Sequence, residues 1–361
     1  MKKQICIIVL ILISCFSQAQ NFNSQYHKFD NALRPEVRSQ LYIPDILGYK
    51  TMKCDFHIHT IFSDGEVLPS LRSAEAWCEG LDAIAITDHN KYKADFLNAD
   101  YNKSYELAKK RADELGLIVI KGVEYTDRKP VGHLNFLFID DANRYERTLI
   151  EPEAAVELAA SEGAFIIYNH PGWPDQNSDL FDFQKKFIKQ KNIHAIEIFN
   201  QAEFYPVAID YCNDFYLAPL GCSDIHSPIN FDYDLSVSKR PMTLVFAKEA
   251  TEAGIKEALF AGRTVAYGNE ILAGKEEFIK EIFKNSMGIT NVSTKKDQSL
   301  FNITNKSSIC YSLESDGKVL MLPAGKTVQV KVKNVDFNKS YILKNAFCGA
   351  QKNVMVTLAL Q

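Results

Sequence analysis

The chain has 361 residues, 46% of them hydrophobic and 24% charged, with a formal net charge of −4. That length exceeds one average domain and predicts a large α/β barrel with an appendage, or two domains. The mild acidity and the lack of a Lys/Arg run argue against a broad binding surface for nucleic acid or anionic membrane.

Residues 1–19 read as an export signal. Lys2 and Lys3 precede an apolar stretch, Ile5–Ile13, and Ser17-Gln18-Ala19 supplies a small-x-small cleavage site. Loss of the two lysines takes the net charge from −4 to −6. The apolar stretch is too short to span a bilayer, and no later segment reaches about 18 uninterrupted apolar residues. Leu12-Ile13-Ser14-Cys15 also fits a bacterial lipoprotein box. A periplasmic or secreted protein is therefore expected, with a lipid anchor at Cys15 and an outer-membrane location as the alternative.

Residues 20–50 form a polar lead-in with Pro35 and Pro44, expected to run along the outside of the following domain. From 51 to 285 the pattern becomes strand, motif, helix, repeated. Strand-like runs cover Lys53–His59, Leu81–Thr87, Leu117–Glu124, His133–Ile139, Ala164–Asn169, Ile193–Asn200 and Ala218–Ser223. Helices are predicted over Leu68–Glu79, Tyr105–Leu115 and Pro152–Glu162, each followed by a stop glycine at Gly80, Gly116 or Gly163. This alternation predicts a (β/α) barrel, whose reactive groups come from loops at the C-terminal strand ends. The connection Asp127–Gly132 is too short for a helix, so a local antiparallel hairpin is predicted there. That turn keeps Glu124 and His133 at the same rim. A further strand, Pro241–Ala247, and helices at Thr251–Gly262 and Lys275–Lys284 follow. Residues 286–361 shift to Asn, Ser, Thr, Lys and Val in alternating runs and predict a small antiparallel β domain.

Almost every predicted barrel strand delivers an acid or an imidazole to that rim. His57 and His59 lie two apart, so on a strand both face the same side and can share one ion. Asp64 follows in a Ser63-Asp64-Gly65 turn. Asp88 and His89 end the second strand; Asp88 is read as orienting a ligand from behind, with a helix N-cap as the alternative. Glu124 ends an apolar strand where an unpaired carboxylate would be costly, which either a metal ion or a salt bridge to Arg128 relieves. His133, His170 (in Asn169-His170-Pro171), Asp224 and His226 complete the set. Imidazoles and carboxylates without cysteine describe a polynuclear site for hard or borderline divalent ions, Mn, Zn or Fe.

Other residues have plainer readings. His194 opens its strand, so it faces the far end of the barrel and reads as structural, as does His27. The side to which Glu197 points is open. Asn200 and Gln201 at the rim are candidate substrate contacts; Arg240 and Arg263 are candidate phosphate contacts, with solvated faces as the alternative. No CxxC occurs, Cys54 and Cys222 read as buried apolar residues, and an oxidising compartment would permit a Cys310–Cys348 bridge. GxxxxGK[ST], GxSxG and GxGxxG motifs are all lacking, which removes the usual P-loop, nucleophile-elbow and dinucleotide readings.

The ordered motifs HxH, SDG, TDHN, GxE, GH, NHP and SDxH, from about Met52 to Gly268, resemble the PHP (polymerase and histidinol phosphatase) superfamily. Ile43-Pro44-Asp45, Gly48-Tyr49 and Arg240–Lys248 are further similar to exported PHP phosphodiesterases of the Sphingobium type. The resemblance implies a distorted (β/α)7 barrel holding three metal ions. His57, His59, Glu124 and Asp224 would bind one. Glu124, bridging, with His133 and His170 would bind a second, and Asp64, His89 and His226 the third. The expected reaction is in-line attack of a metal-bridging hydroxide on a phosphodiester of a small molecule, with Asp64 or a metal-bound water protonating the leaving group. Asp88, Asp64 and His89 are the expected catalytic residues. The rivals are a histidinol-phosphatase-like phosphomonoesterase, an exonuclease, an amidohydrolase (for which no strand-end lysine fits) and a non-enzymatic metal or phosphate carrier.

Overall fold

A computed structural model describes residues 25–26, 37–91, 100–333 and 339–358. The export segment, Cys15, His27 and Pro35 lie outside the described residues. Short, largely buried strands dominate the first part of the chain: β1 (Lys50–Asp55), β2 (Ala83–Ile86), β3 (Ile118–Thr126), β4 (His133–Leu137), β5 (Phe165–Tyr168), β6 (Ala195–Asn200) and β8 (Ala218–Cys222), with a more exposed two-residue β7 (Glu203–Phe204). Runs such as Phe165-Ile166-Ile167-Tyr168, buried at every position, are what a sheet covered on both faces requires.

The helices that cover these strands begin and end as local chemistry dictates. Helices α1 (Pro69–Cys78), α3 (Pro152–Ser161) and α5 (Pro206–Phe215) open on a proline, whose missing N–H costs nothing in the first turn. Helix α2 (Lys103–Leu115) stops at Gly116 in the left-handed conformation. Helix α4 (Asp182–Lys189) and the one-turn α6 (Ile229–Asp232) complete this part.

Strands β1, β2 and β3 run parallel, β4 reverses against both β3 and β5, and β5, β6 and β8 are again parallel. The reversal at β4 is the predicted hairpin. Below the rim β8 does not pair with β1. That space is taken by β9 (Met242–Ala247), antiparallel to β1, and β10 (Thr264–Gly268), antiparallel to β9. Gly221 in β8 permits the close approach, since a Cβ there would stand 2.7 Å from the Met242 carbonyl oxygen. At the rim the barrel does close: Asp224 N–H donates to the His57 carbonyl at 2.9 Å and His59 N–H to the Ile225 carbonyl at 3.1 Å. The result is a distorted barrel of the predicted class.

After α7 (Glu252–Phe260), β11 (Ile271–Gly274) and α8 (Glu276–Ser286), the C-terminal strands divide. β12 (Met287–Thr294), β13 (Gln298–Asn305) and β16 (Thr327–Lys333) form a small antiparallel sheet of three strands. β14 (Tyr311–Ser315), β15 (Lys318–Leu322), β17 (Ser340–Gly349) and β18 (Lys352–Thr357) instead extend the main sheet, through a parallel pairing of β11 with β17. Phe301, Ile303, Tyr311 and Leu343 share one core with Leu244, Phe278 and Ile282. No described helix is long and apolar enough to cross a membrane.

The Cys310–Cys348 bridge that an oxidising compartment would permit is not formed; both thiols are free. Cys348 Sγ lies 3.9 Å from the Asn353 carbonyl, while the Cys310 backbone is held by Glu270 and Asn345. Arg38 donates to the Leu81 carbonyl at 3.0 Å and pairs with Asp82, tying the chain from that residue on to the barrel.

Candidate metal centre

Nine side chains converge at the rim, and each arrives from a strand end. His57 and His59 leave β1, His89 leaves β2, Glu124 lies in β3, His133 opens the reversed β4, His170 leaves β5, and Asp224 and His226 leave β8. Asp64 comes from the turn after β1. Their donor atoms fall into overlapping groups whose members all lie within 4.8 Å of one another: His59, Asp64, His89 and His226; His57, His59 and Asp224; His57, Glu124 and His170; His89, Glu124 and His133. Donors that each stand about 2.1 Å from a common ion are at most about 4.2 Å apart, so small rotations suffice. These groups overlap the expected sets: His57, His59 and Asp224 fall together, as do Asp64, His89 and His226. His57 groups with His170 across Glu124, His133 groups with His89, and His59 also joins the Asp64 set.

The donor set fits divalent ions on a second count. His57 Nε2, His59 Nε2, Glu124 Oε2 and Asp224 Oδ1 are buried without a hydrogen-bond partner among the described residues. His59 Nε2 is only 2.9 Å from Asp224 Oδ1 and His57 Nε2 is 3.2 Å from it, but off the line along which an N–H donates. Four orphaned polar atoms facing one another would each cost about 1–3 kcal/mol. An ion bound among them removes that cost.

The remaining atoms of the ligand side chains are pinned. His57 Nδ1 lies 2.8 Å from Glu197 Oε1, which leaves Nε2 for the cluster. His226 Nδ1 donates to the Asp224 carbonyl at 2.8 Å, directing Nε2 toward Asp64 Oδ1 at 3.3 Å. Asn169 Nδ2 donates to Glu124 Oε1 at 2.9 Å and to Asn135 Oδ1. His170 and Asp224 adopt φ of +22° and +48°, a region that costs a non-glycine residue of order 1–2 kcal/mol. The His170 conformation is held by its N–H donating to Glu197 Oε2 at 2.6 Å.

Charge is dense here. Burial raises the Glu124 carboxyl, but His89, His133 and His57 outweigh it and hold it well below the usual range. Burial lowers His57, yet Asp224, Glu124 and Glu197 keep it well above its ordinary value. His59, buried beside His89 and His226, is pushed down to about 3. His89 is raised to about 10 by Glu124 and Asp64 against the effect of burial.

The other candidates are placed as follows. Asp88 does not line the cleft. It accepts from Thr60 N at 2.7 Å, Thr60 Oγ1 at 2.8 Å and Ser63 Oγ at 2.7 Å, fixing the turn that carries Asp64. Its expected catalytic role is therefore corrected to positioning. Asn200 lines the cleft and donates to Glu197 at 2.8 Å; Gln201 lines it too and donates to the Asp224 carbonyl at 3.2 Å. Arg240 is corrected from substrate contact to structural residue, since it is 1% exposed and bound to Asp55 and Glu79. Arg263 is likewise corrected. It precedes β10, which runs with β1, so it stands at the far end of the barrel, bound to Glu257 and the Phe246 carbonyl. Glu124 is engaged by histidines and not by Arg128. His194 is structural as expected, its Nδ1 accepting from Ile166 N–H at 3.0 Å.

Sequence reasoning left the direction of one supporting group, Glu197, open and missed two others, Arg72 and Asp55. Glu197 is a lone acid in an apolar strand, a signal equal to that of Glu124. Arg72, on α1, is fully buried and donates to the carbonyls of His59, Ile225, His226 and Ser227. Asp55 accepts from Ser223 Oγ at 2.5 Å and pairs with Arg240. Above the cluster opens a cleft of about 760 Å³, walled by residues that include Lys91, Arg128, Lys129, Tyr168, Trp173 and Glu203.

Comparison with known proteins places this geometry. A solved two-domain protein from Bacteroides vulgatus, described as containing a predicted PHP-like metal-dependent phosphoesterase, is 34% identical with a TM-score of 0.85, over 90% of this chain and 99% of that one. A structure from Bifidobacterium adolescentis, provisionally described as a metal-dependent phosphoesterase, aligns at 17% identity and a TM-score of 0.38, over 49% of this chain and 89% of the other; no argument rests on it. An uncharacterised protein of Methanocaldococcus jannaschii is 43% identical over 84 residues, which is 22% of this chain and 36% of that relative's length. No family model matches the chain.

Proposed function

The chain belongs to the PHP-like metal-dependent phosphoesterases, and on that premise we propose that it hydrolyses a phosphodiester of a small molecule at a centre of three divalent ions, Mn, Zn or Fe. The observation that carries this reading is the meeting of four buried, unpartnered donor atoms, on His57, His59, Glu124 and Asp224, at the floor of an open cleft. Divalent ions held there supply a water that is nucleophilic at neutral pH and offset charge on the phosphoryl oxygens.

The protein's own residues supply the rest. Glu124, touched by His57, His89, His133 and His170, is the common member that ties the ion sites together. Glu197 and Asn169 hold His57 and Glu124 in fixed orientations, so little reorganisation is needed at the moment of reaction. Asp64, whose side chain is 44% exposed at the cleft edge, is raised by burial but held far below the usual range by His226, His89 and His59, so it serves as a carboxylate ligand. The cleft wall offers few free cations: Lys129 is bound to Asp175 and to two backbone carbonyls. A single phosphodiester charge suits such a wall better than a monoester's two. The Ile43–Asp45 and Arg240–Lys248 segments, with the export signal, support kinship to the exported Sphingobium-type phosphodiesterases and a periplasmic or secreted location.

Metal analysis of the purified protein, paired with a phosphate-ester panel, tests the reading. The expected result is bound divalent metal and faster turnover of bis-p-nitrophenyl phosphate than of p-nitrophenyl phosphate. A ratio well below one assigns a phosphomonoesterase instead. Shortening of a DNA oligonucleotide from its end assigns an exonuclease, and metal without turnover of any ester assigns a binding protein.

A further inference from the structure

The outer wall of the cleft beside His133 and His170 has no part in the hydrolytic step. Trp173 stands there, its ring centre 5.2 Å from that of His133 and 5.6 Å from that of His170. Yet the residue is 51% exposed. A large aromatic side chain left half in water against a buried polar centre keeps surface open for stacking.

The indole is not on a loose segment. Trp173 N–H donates to the His170 carbonyl at 3.0 Å. Lys129 Nζ donates to the carbonyls of Pro171 at 3.0 Å and Asn177 at 2.7 Å, and pairs with Asp175 at 2.5 Å. Gly172 lets the loop lie flat, since a Cβ there would stand 2.5 Å from the Tyr205 ring. A ring held this way loses little freedom when a second ring stacks on it.

Arg128 lines the same cleft, is exposed, and its guanidinium has no partner among the described residues. Its neighbour Asp127 is engaged by Arg147 at 2.9 Å. Asp64 stands with His59, His89 and His226 in a different donor group, and Trp173 makes its ring contacts with His133 and His170. An ester group lying on the indole sits beside His133 and His170, outside the donor group that holds Asp64.

Resting on the phosphodiesterase reading, we propose that Trp173 and Arg128 are specificity-determining residues that select a phosphodiester whose retained ester group carries a flat aromatic ring. The indole stacks on that ring and the guanidinium takes the single phosphoryl charge. In the reaction a water oxygen bonds to phosphorus, the bond to the other alcohol breaks, and that alcohol leaves with a proton. The aryl ester bond survives.

Two esters with the same leaving group isolate this claim: p-nitrophenyl phenyl phosphate and p-nitrophenyl methyl phosphate, both assayed with the metal-loaded protein. Trp173→Ala lowers kcat/KM about 10-fold or more for the phenyl ester, the size of one lost stacking contact, and less than about threefold for the methyl ester. Trp173→Tyr retains most of the preference. Arg128→Met lowers both esters alike. Equal losses for the two esters in Trp173→Ala, or none, overturn the proposal while leaving the phosphodiesterase reading intact.

A second readout needs no turnover. The chain has two tryptophans, so Trp77→Phe leaves Trp173 as its one indole fluorophore. Diphenyl phosphate is expected to change its emission saturably, at concentrations at least tenfold below those at which dibutyl phosphate acts. Indifference to diphenyl phosphate overturns the stacking. If the emission responds but neither diester is cleaved, the phosphodiesterase reading fails and the aromatic recognition stands.

Discussion

Glu197 Oε1 lies 2.8 Å from His57 Nδ1, while the other oxygen of the same carboxylate accepts the His170 N–H at 2.6 Å. One buried acid thus sets the ring orientation of one candidate ligand and the backbone of another. Glu197→Gln keeps the volume but removes the charge and one acceptor. Loss of such an outer partner weakens metal binding by about 10–100-fold. Competition against a chromophoric chelator measures this, and an unchanged affinity would remove Glu197 from the centre.

Binding to the folded state alone also makes the ions a stabilising ligand. A site filled at a hundred times its dissociation constant adds about 2.7 kcal/mol. Chelation is therefore expected to lower Tm by several degrees, and divalent metal to restore it. Calorimetry with and without chelator checks this; a Tm indifferent to both would mean that the orphaned donors hold nothing.

Arg240 makes a prediction of the opposite kind, large for stability and small for catalysis. Its removal strands Asp55, which is fully buried, and Glu79. Breaking a buried pair from one side costs about 3–5 kcal/mol. Arg240→Met should lose that much in urea denaturation while the folded fraction keeps KM within about threefold. A large KM change at wild-type stability would return Arg240 to the substrate.

His194 supplies a pH dependence away from the metal centre. Burial against Phe165 and Phe260 lowers its pKa from 6.5 to about 4. Between those values the unfolded chain binds a proton that the folded chain does not. The contribution is complete above about pH 6.5, shrinks as pH falls, and has gone below about 4, at most about 3 kcal/mol. His194→Asn keeps an acceptor for Ile166 N–H and does not titrate. Its stability should fall less than the wild type's from pH 7.5 to pH 5. Parallel slopes for the two proteins would refute the assignment.

The barrel and its nine rim donors were legible because both rest on local pattern. His57 and His59 obey strand alternation, and Glu124 is an acid where apolar residues are the rule. The hairpin at Asp127–Gly132 followed from its length alone. Which outer partners pin them was not legible, because it depends on side-chain directions across strands far apart in sequence. Arg72 was hidden for a related reason: on a helix, an arginine reads as solvated until the carbonyls it meets are known. Helix α4 was passed over although Phe183, Phe187 and Ile188 lie on its buried side. The C-terminal region read as one separate β unit, yet alternation cannot say which sheet a strand will join, and four of its strands entered the larger one.

Arg72 gathers the carbonyls of His59, Ile225, His226 and Ser227 under one guanidinium, splicing the start of the barrel to its finish. A chain lacking the eighth strand has seven of the nine donors but lacks Asp224 and His226. A cation that draws on His59 and His226 together would accordingly find its pocket complete only once the eighth strand has docked against the first.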